Sequence, residues 1–192
     1  MTAIHSVAVF CGSNSGSDPA FAAAARALGR GLAEAGMRLV YGGGRVGLMG
    51  AVADAALAAG GEILGVIPEF LTRREVAHTG VELTVTDSMH SRKQLMFAEA
   101  DVFVSLPGGL GTLDETIEII TWRQLGLHDK PIVLCDVAGS TAPLRAAIEA
   151  AIGRGFAPAR VRELFLVVDG VAPLLEHLRA IPAGVAIAAD RL

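Results

Sequence analysis

Apolar runs of about five residues, without polar alternation, recur along the chain between longer Ala/Leu-rich stretches whose apolar positions repeat at helical spacing. Val7–Cys11, Met37–Tyr41, Glu62–Ile67, Val81–Val85, Val102–Leu106, Pro131–Cys135 and Leu164–Val168 read as strands. A helix is predicted from Asp18, as N-cap, with Pro19 at its first position, to about Gly36. Others follow a glycine loop through Leu57, span about Ser91 to Ala100, follow a second glycine loop to about Leu125, and cover Ala142–Arg154 and Val171–Ala180. Pro68–Gly80 reads as irregular. Strands without alternation are buried on both faces, and a repeated strand–helix–strand order requires crossovers, so the expectation is an α/β fold. Its centre is a doubly wound parallel sheet with helices on both faces.

Length and composition narrow the class. At about 150 residues per domain, residues 1–192 make one domain, with a core over about 5–180 and a tail, 181–192, of undetermined order. Hydrophobic residues are 52% of the chain and charged ones 19%, which excludes intrinsic disorder. No apolar run reaches the ~18–20 residues of a membrane-spanning helix, and Met1–His5 has no basic region of a secretory signal. Two cysteines, Cys11 and Cys135, build no disulfide framework and fit a reducing, cytoplasmic setting. The net charge is −4, with no basic run carrying interleaved aromatics, so a nucleic-acid polymer is not an expected partner.

In a sheet of this kind ligands bind beyond the carboxyl ends of the strands. Three glycine-rich loops fall there: Gly12–Gly16 (with Gly12 and Ser13), Gly42–Gly47 (with Gly43 and Gly44), and Pro107–Thr112. Glycine lets backbone approach an anion without a Cβ clash, and free amides at a helix start point towards it. Gly42-x-Gly44-x-x-Gly47 satisfies the dinucleotide pattern, but follows the second strand rather than the first. An NAD-type oxidoreductase is therefore a minor alternative. The other reading of each loop is a tight turn that only lets helix and sheet pack.

Two acid–base groups stand at predicted helix starts. Thr112-x-x-Glu115 can be a capping box, or Glu115 can be a carboxylate placed beside a phosphate-binding backbone. Ser91-x-x-Gln94 can likewise be a capping pair. The adjacent Arg92-Lys93 opposes the helix dipole and suggests an anionic partner, the alternative being a solvated basic pair. Lys93 and Lys130 are the only lysines, and neither has a pyridoxal phosphate signature around it. The histidines have no metal-ligand spacing with the cysteines, so neither metal nor cofactor is expected.

Pro107-Gly108-Gly109-Leu110-Gly111-Thr112-Leu113-Asp114-Glu115 fits P-G-G-x-G-T-x-x-E, and Met89-His90-Ser91-Arg92-Lys93 fits M-x-x-R-K. With Gly42–Gly44 and Thr121–Gly126, the chain resembles the LONELY GUY (LOG) family of cytokinin riboside 5′-monophosphate phosphoribohydrolases, historically labelled lysine decarboxylase-like. The resemblance implies a Rossmann-like homodimer that hydrolyses the N-glycosidic bond of purine nucleoside 5′-monophosphates, AMP included, to free base and ribose 5-phosphate. A non-catalytic AMP-binding module is the alternative from another class. The resemblance also implies that Arg92 and Glu115 are the catalytic pair. Nucleotide contacts would come from Glu75, Met89, Lys93, Gly108, Gly109, Leu110, Gly111, Thr112, Asp114 and Thr121, beside the loop residues Gly12, Ser13, Gly43 and Gly44. Two departures from the family pattern, Gly139-Ser140-Thr141 for a frequent Gly-Tyr-Tyr and Leu110 for a frequent aromatic, bear on the choice of base.

Overall fold

The computed structural model describes residues 4–181; the tail from 182 onward lies outside them. Seven strands form one sheet: β1 (Ser6–Phe10), β2 (Arg38–Tyr41), β3 (Ile63–Pro68), β4 (Glu82–Thr86), β5 (Val102–Ser105), β6 (Ile132–Asp136) and β7 (Leu166–Asp169). Their spatial order is β4-β3-β2-β1-β5-β6-β7, with every neighbouring pair parallel. Both faces are covered. Helices α1 (Pro19–Glu34), α2 (Gly47–Ala58) and α6 (Val171–Ala180) pack a core around Val7, Val9, Leu39 and Tyr41. On the opposite face α3 (Met89–Ala98), α4 (Leu110–Gln124) and α5 (Ala142–Gly153) enclose Ala8, Val40, Phe103 and Leu134. The alternation of these residues between the two cores is the period-2 alternation of strand side chains, hidden in the sequence because both faces are apolar.

The start of α1 follows its sequence signals: the Asp18 carboxylate accepts from Ala20 N at 2.8 Å, with Pro19 at the first position. Two helix starts do not. Ser88, not Ser91, is the N-cap of α3, and the capping box joins Ser88 to Ser91. Gly109 is the N-cap of α4, three residues before the Thr112 that a Thr112–Glu115 box needs, so that box does not form. Near the C-terminus, a 3-10 turn over Ala159–Glu163 delays the last strand to Leu166.

Chain direction reverses its path across the sheet at β1, which lies between β2 and β5. The loop after β1 leads to α1 on one face, and the loop after β5 leads to α4 on the other. A crevice opens between such diverging loops at the carboxyl edge of the sheet. No helix among the described residues is long and apolar enough to cross a membrane.

Candidate active site

A cleft of about 750 Å³ fills that crevice, lined by Gly12–Gly16, the Pro107–Thr112 loop, Glu75, Arg92 and Glu115, with Phe21, Leu48 and Met49 as an apolar wall. Gly12 ties its floor together. Its N–H donates to Pro107 O at 3.1 Å, and its carbonyl accepts from Leu48 N at 2.9 Å and Met49 N at 3.3 Å. The loops after β1, β2 and β5 are thus joined at one residue. Gly47, at φ +60°, makes this possible, because a Cβ there would lie 2.3–2.5 Å from the Ser13–Asn14 backbone.

The start of α2 is consequently filled by protein. The amides of Leu48 and Met49 serve the Gly12 carbonyl and are not free for a pyrophosphate, so the dinucleotide reading of Gly42-x-Gly44-x-x-Gly47 fails on this geometry. The start of α4 differs. Its cap, Gly109, offers no side chain, and the N–H groups of Leu110, Gly111 and Thr112 have no intrahelical partner, facing the cleft with their positive dipole end.

Arg92 is 5% exposed and held by two backbone carbonyls: Nε donates to Val66 O and Nη2 to Gly42 O, each at 3.1 Å. Its remaining nitrogen, Nη1, lies 3.9 Å from Glu115 Oε1. Glu115 stands in the second turn of α4, facing inward. The turn is fixed by Thr116 Oγ1, which donates to Thr112 O at 2.6 Å and lies 2.9 Å from Ser105 Oγ at the end of β5. Burial pushes the Glu115 carboxyl up to about 7, against the pull of the Arg92 guanidinium; the nearby Asp114 and Glu75 carboxylates push the same way as burial. A buried carboxyl poised near neutrality, beside a fixed arginine and open helix amides, is equipped for acid–base work on an anionic substrate.

Among the residues expected to contact a nucleotide, Gly12, Ser13, Glu75 and Gly108–Thr112 line the cleft with Arg92 and Glu115. Others lie elsewhere. Gly43 and Gly44 sit behind the cleft wall: a Cβ on Gly43 would press on Ile67 and Leu83, and one on Gly44 on Glu75 and Met49. The glycine run after β2 is therefore a seat for Arg92 and Glu75, since a Cβ on Gly42 would lie 2.0 Å from Arg92 Nη2. Met89 is placed behind Arg92, its Sδ 3.8 Å from Nη1. Lys93 turns away and donates to Glu118 at 2.9 Å and Asp114 at 3.2 Å, which accounts for both Lys93 and Asp114 without a ligand. Thr121 is exposed on the outer face of α4, where its hydroxyl donates to Ile117 O. Sequence reasoning missed Phe21, Leu48 and Met49 as wall residues. An apolar residue in a helix's first turn carries the same pattern whether it meets a core or a cleft.

Both lysines are occupied. Lys130 Nζ donates to Phe97 O at 2.7 Å and lies 4.2 Å above the Phe97 ring, far from the cleft residues in the α4–β6 connection. The two buried histidines also have structural partners: His78 Nε2 lies 3.1 Å from Asp54 Oδ1, and His128 Nε2 is 2.9 Å from Ile119 O.

Fold and site define the class: an α/β protein whose switch-point crevice pairs the open amides of a helix start with a buried arginine–glutamate couple. Comparison with known proteins gives the family. Residues 49–178 match the family described as "Possible lysine decarboxylase". The chain is 44% identical over 177 residues to the cytokinin riboside 5′-monophosphate phosphoribohydrolase of Rhodococcoides fascians, covering 91% of this chain and 89% of that one. It is 43% identical over 173 residues to a cytokinin riboside 5′-monophosphate phosphoribohydrolase of Arabidopsis thaliana, covering 90% and 80%. This chain belongs to that family of phosphoribohydrolases, the LOG family. Its fold is shared with a molybdenum cofactor binding protein of Rippkaea orientalis, with a TM-score of 0.70, 22% identity, and coverage of 92% and 96%. The molybdenum cofactor carrier protein of Chlamydomonas reinhardtii is similar, with a TM-score of 0.68, 22% identity, and coverage of 91% and 95%.

Proposed function

We propose that this chain hydrolyses the N-glycosidic bond of purine nucleoside 5′-monophosphates, cytokinin ribotides and AMP among them, giving free base and ribose 5-phosphate. The observation that carries this reading is the Arg92–Glu115 couple buried beside the open amides of α4. The 5′-phosphate docks on the amides of Leu110, Gly111 and Thr112, and binding there orients a ribose whose anomeric carbon reaches Glu115. Departure of the base leaves an oxocarbenium-like centre, which the ionised Glu115 stabilises while accepting a proton from the attacking water. Arg92 carries its charge to the same point without needing Glu115 for its own satisfaction, because two carbonyls already hold it.

A nucleotide-binding module without turnover would need the cradle but not a buried carboxyl held near neutrality, so the acid favours catalysis. The test is incubation with AMP and with N6-isopentenyladenosine monophosphate, followed by chromatography for free base. Release of base with ribose 5-phosphate is expected; tight AMP binding without release at high enzyme concentration would establish the binding module instead.

The reading includes a cytosolic enzyme working as a homodimer. Leu110, Leu113 and Ile117 on α4, at three- and four-residue steps, and Leu125 at its C-cap are exposed and form an apolar stripe suited to a second copy.

A further inference from the structure

Glu75 is held more tightly than its place in an irregular segment requires. Its N–H donates to Leu71 O at 2.8 Å, and Arg45 N donates to the carbonyls of both Glu75 and Val76, at 3.1 and 2.9 Å. Gly44 and Ala77 form an antiparallel bridge, and His78 N donates to Gly43 O at 2.9 Å. The following residue, Val76, has φ +51°, a left-handed conformation that a β-branched side chain disfavours. Val76 is 53% exposed, so its side chain returns little burial for that strain. What the strained segment does is hold the Glu75 side chain in the wall of the cleft.

That side chain is incompletely satisfied. Glu75 Oε2 is out of reach of solvent and has no hydrogen-bond partner. Among the described residues no basic group comes within 4 Å of it, whereas Glu115 has Arg92 at 3.9 Å. An ionised carboxylate with an orphaned oxygen is costly to bury; a neutral carboxyl is much less so. The charged or titratable groups that act on Glu75 are Arg92 from α3, Arg74 from its own segment, Glu115 from α4 and the Cys11 thiol at the end of β1. Burial raises the Glu75 carboxyl above its ordinary range, opposed by Arg92 and Arg74.

Building on the hydrolase reading above, we infer that Glu75 is the general acid of this site, a protonated carboxyl that delivers its proton to the departing base while Glu115 serves the water. The C1′–N bond breaks with its electron pair moving to the base, and a base nitrogen takes the Glu75 proton. Water oxygen bonds to C1′, and its proton passes to Glu115. Glu75 ends ionised and Glu115 protonated, and exchange with solvent restores both. Two carboxyl groups with different neighbours thus divide the acid and base work.

The experiment compares Glu75→Gln and Glu115→Gln on two substrates: AMP, and 4-nitrophenyl β-D-ribofuranoside 5-phosphate, whose nitrophenolate leaves without being protonated. Glu75→Gln is expected to lose at least ~100-fold in kcat on AMP but less than ~10-fold on the nitrophenyl compound, with KM little changed. Glu115→Gln is expected to lose turnover on both. Retained nitrophenyl turnover also shows that the Glu75 variant is folded. Equal losses on the two substrates, or no loss on AMP, overturn the assignment while leaving the hydrolase reading intact. A wild-type protein that cleaves neither compound overturns both.

Discussion

Glu115 is a residue whose chemistry works against the stability of the chain. Its folded carboxyl titrates at about 7 against an ordinary value of 4.5, so between these values the folded state binds more protons than the unfolded one. The stability this group contributes is therefore fully present below about pH 4.5 and is lost as pH rises towards 7. Removing the ionisable group should reverse this. Glu115→Gln is expected to melt higher than the wild type at pH 8, by on the order of 2 kcal/mol or roughly 4–8 °C, with the difference vanishing near pH 4. Thermal melts across that range check it. A variant that gains stability as it loses turnover is what a functional buried acid predicts; a capping-box glutamate would lose both. The sequence located Glu115 by its motif but left two roles open. The helix starting at Leu110 removes the capping-box role, and a glycine N-cap with no side-chain signal is hard to read from sequence.

At the level of elements, most of the architecture was legible because each signal was local. The strand runs, Pro19 after Asp18, and the glycines at strand ends all act on their neighbours. What was not legible depends on contacts between distant segments. Gly42–Gly47 looks like a phosphate loop in sequence, yet the Gly42 carbonyl accepts from Arg92 across 50 residues, and Gly47 leaves room for the Ser13–Asn14 backbone. The same composition leaves the first amides open at α4 and gives those of α2 to the protein itself. This distinction can be tested at Gly42. Gly42→Ala would place a methyl 2.0 Å from Arg92 Nη2 and 2.9 Å from Met49 Sδ, so the guanidinium must leave its carbonyls. We expect a folded protein with kcat lowered about 100-fold by the misplaced arginine, measured on AMP beside a melting curve. Activity close to wild type would show that Arg92 needs no fixed seat.

For the whole molecule, the parallel order β4-β3-β2-β1-β5-β6-β7 puts every glycine-rich loop at one edge of the sheet, so topology alone gathers the cleft. It also leaves the outer face of α4 uncovered, with Leu110 86% and Leu125 67% exposed. If that stripe is the contact between two copies, light scattering should give a dimer mass for the wild type and a monomer mass for Ile117→Glu. A wild-type monomer would remove the homodimer from the proposed function. Thr121 and Lys93 illustrate what a motif cannot convey: each follows the family spacing, but the helix rotation turns one to the outer face and the other to Glu118 and Asp114.

Cys11 lines the same cleft, and burial, reinforced by the neighbouring Glu115 charge, holds its thiol far above its ordinary pKa. For inhibitor chemistry this makes it a decoy. An electrophile carried in on a nucleotide scaffold would meet a neutral thiol rather than a thiolate, and would alkylate it slowly despite ideal proximity. Covalent ligands for this cleft are better aimed at its carboxyl groups.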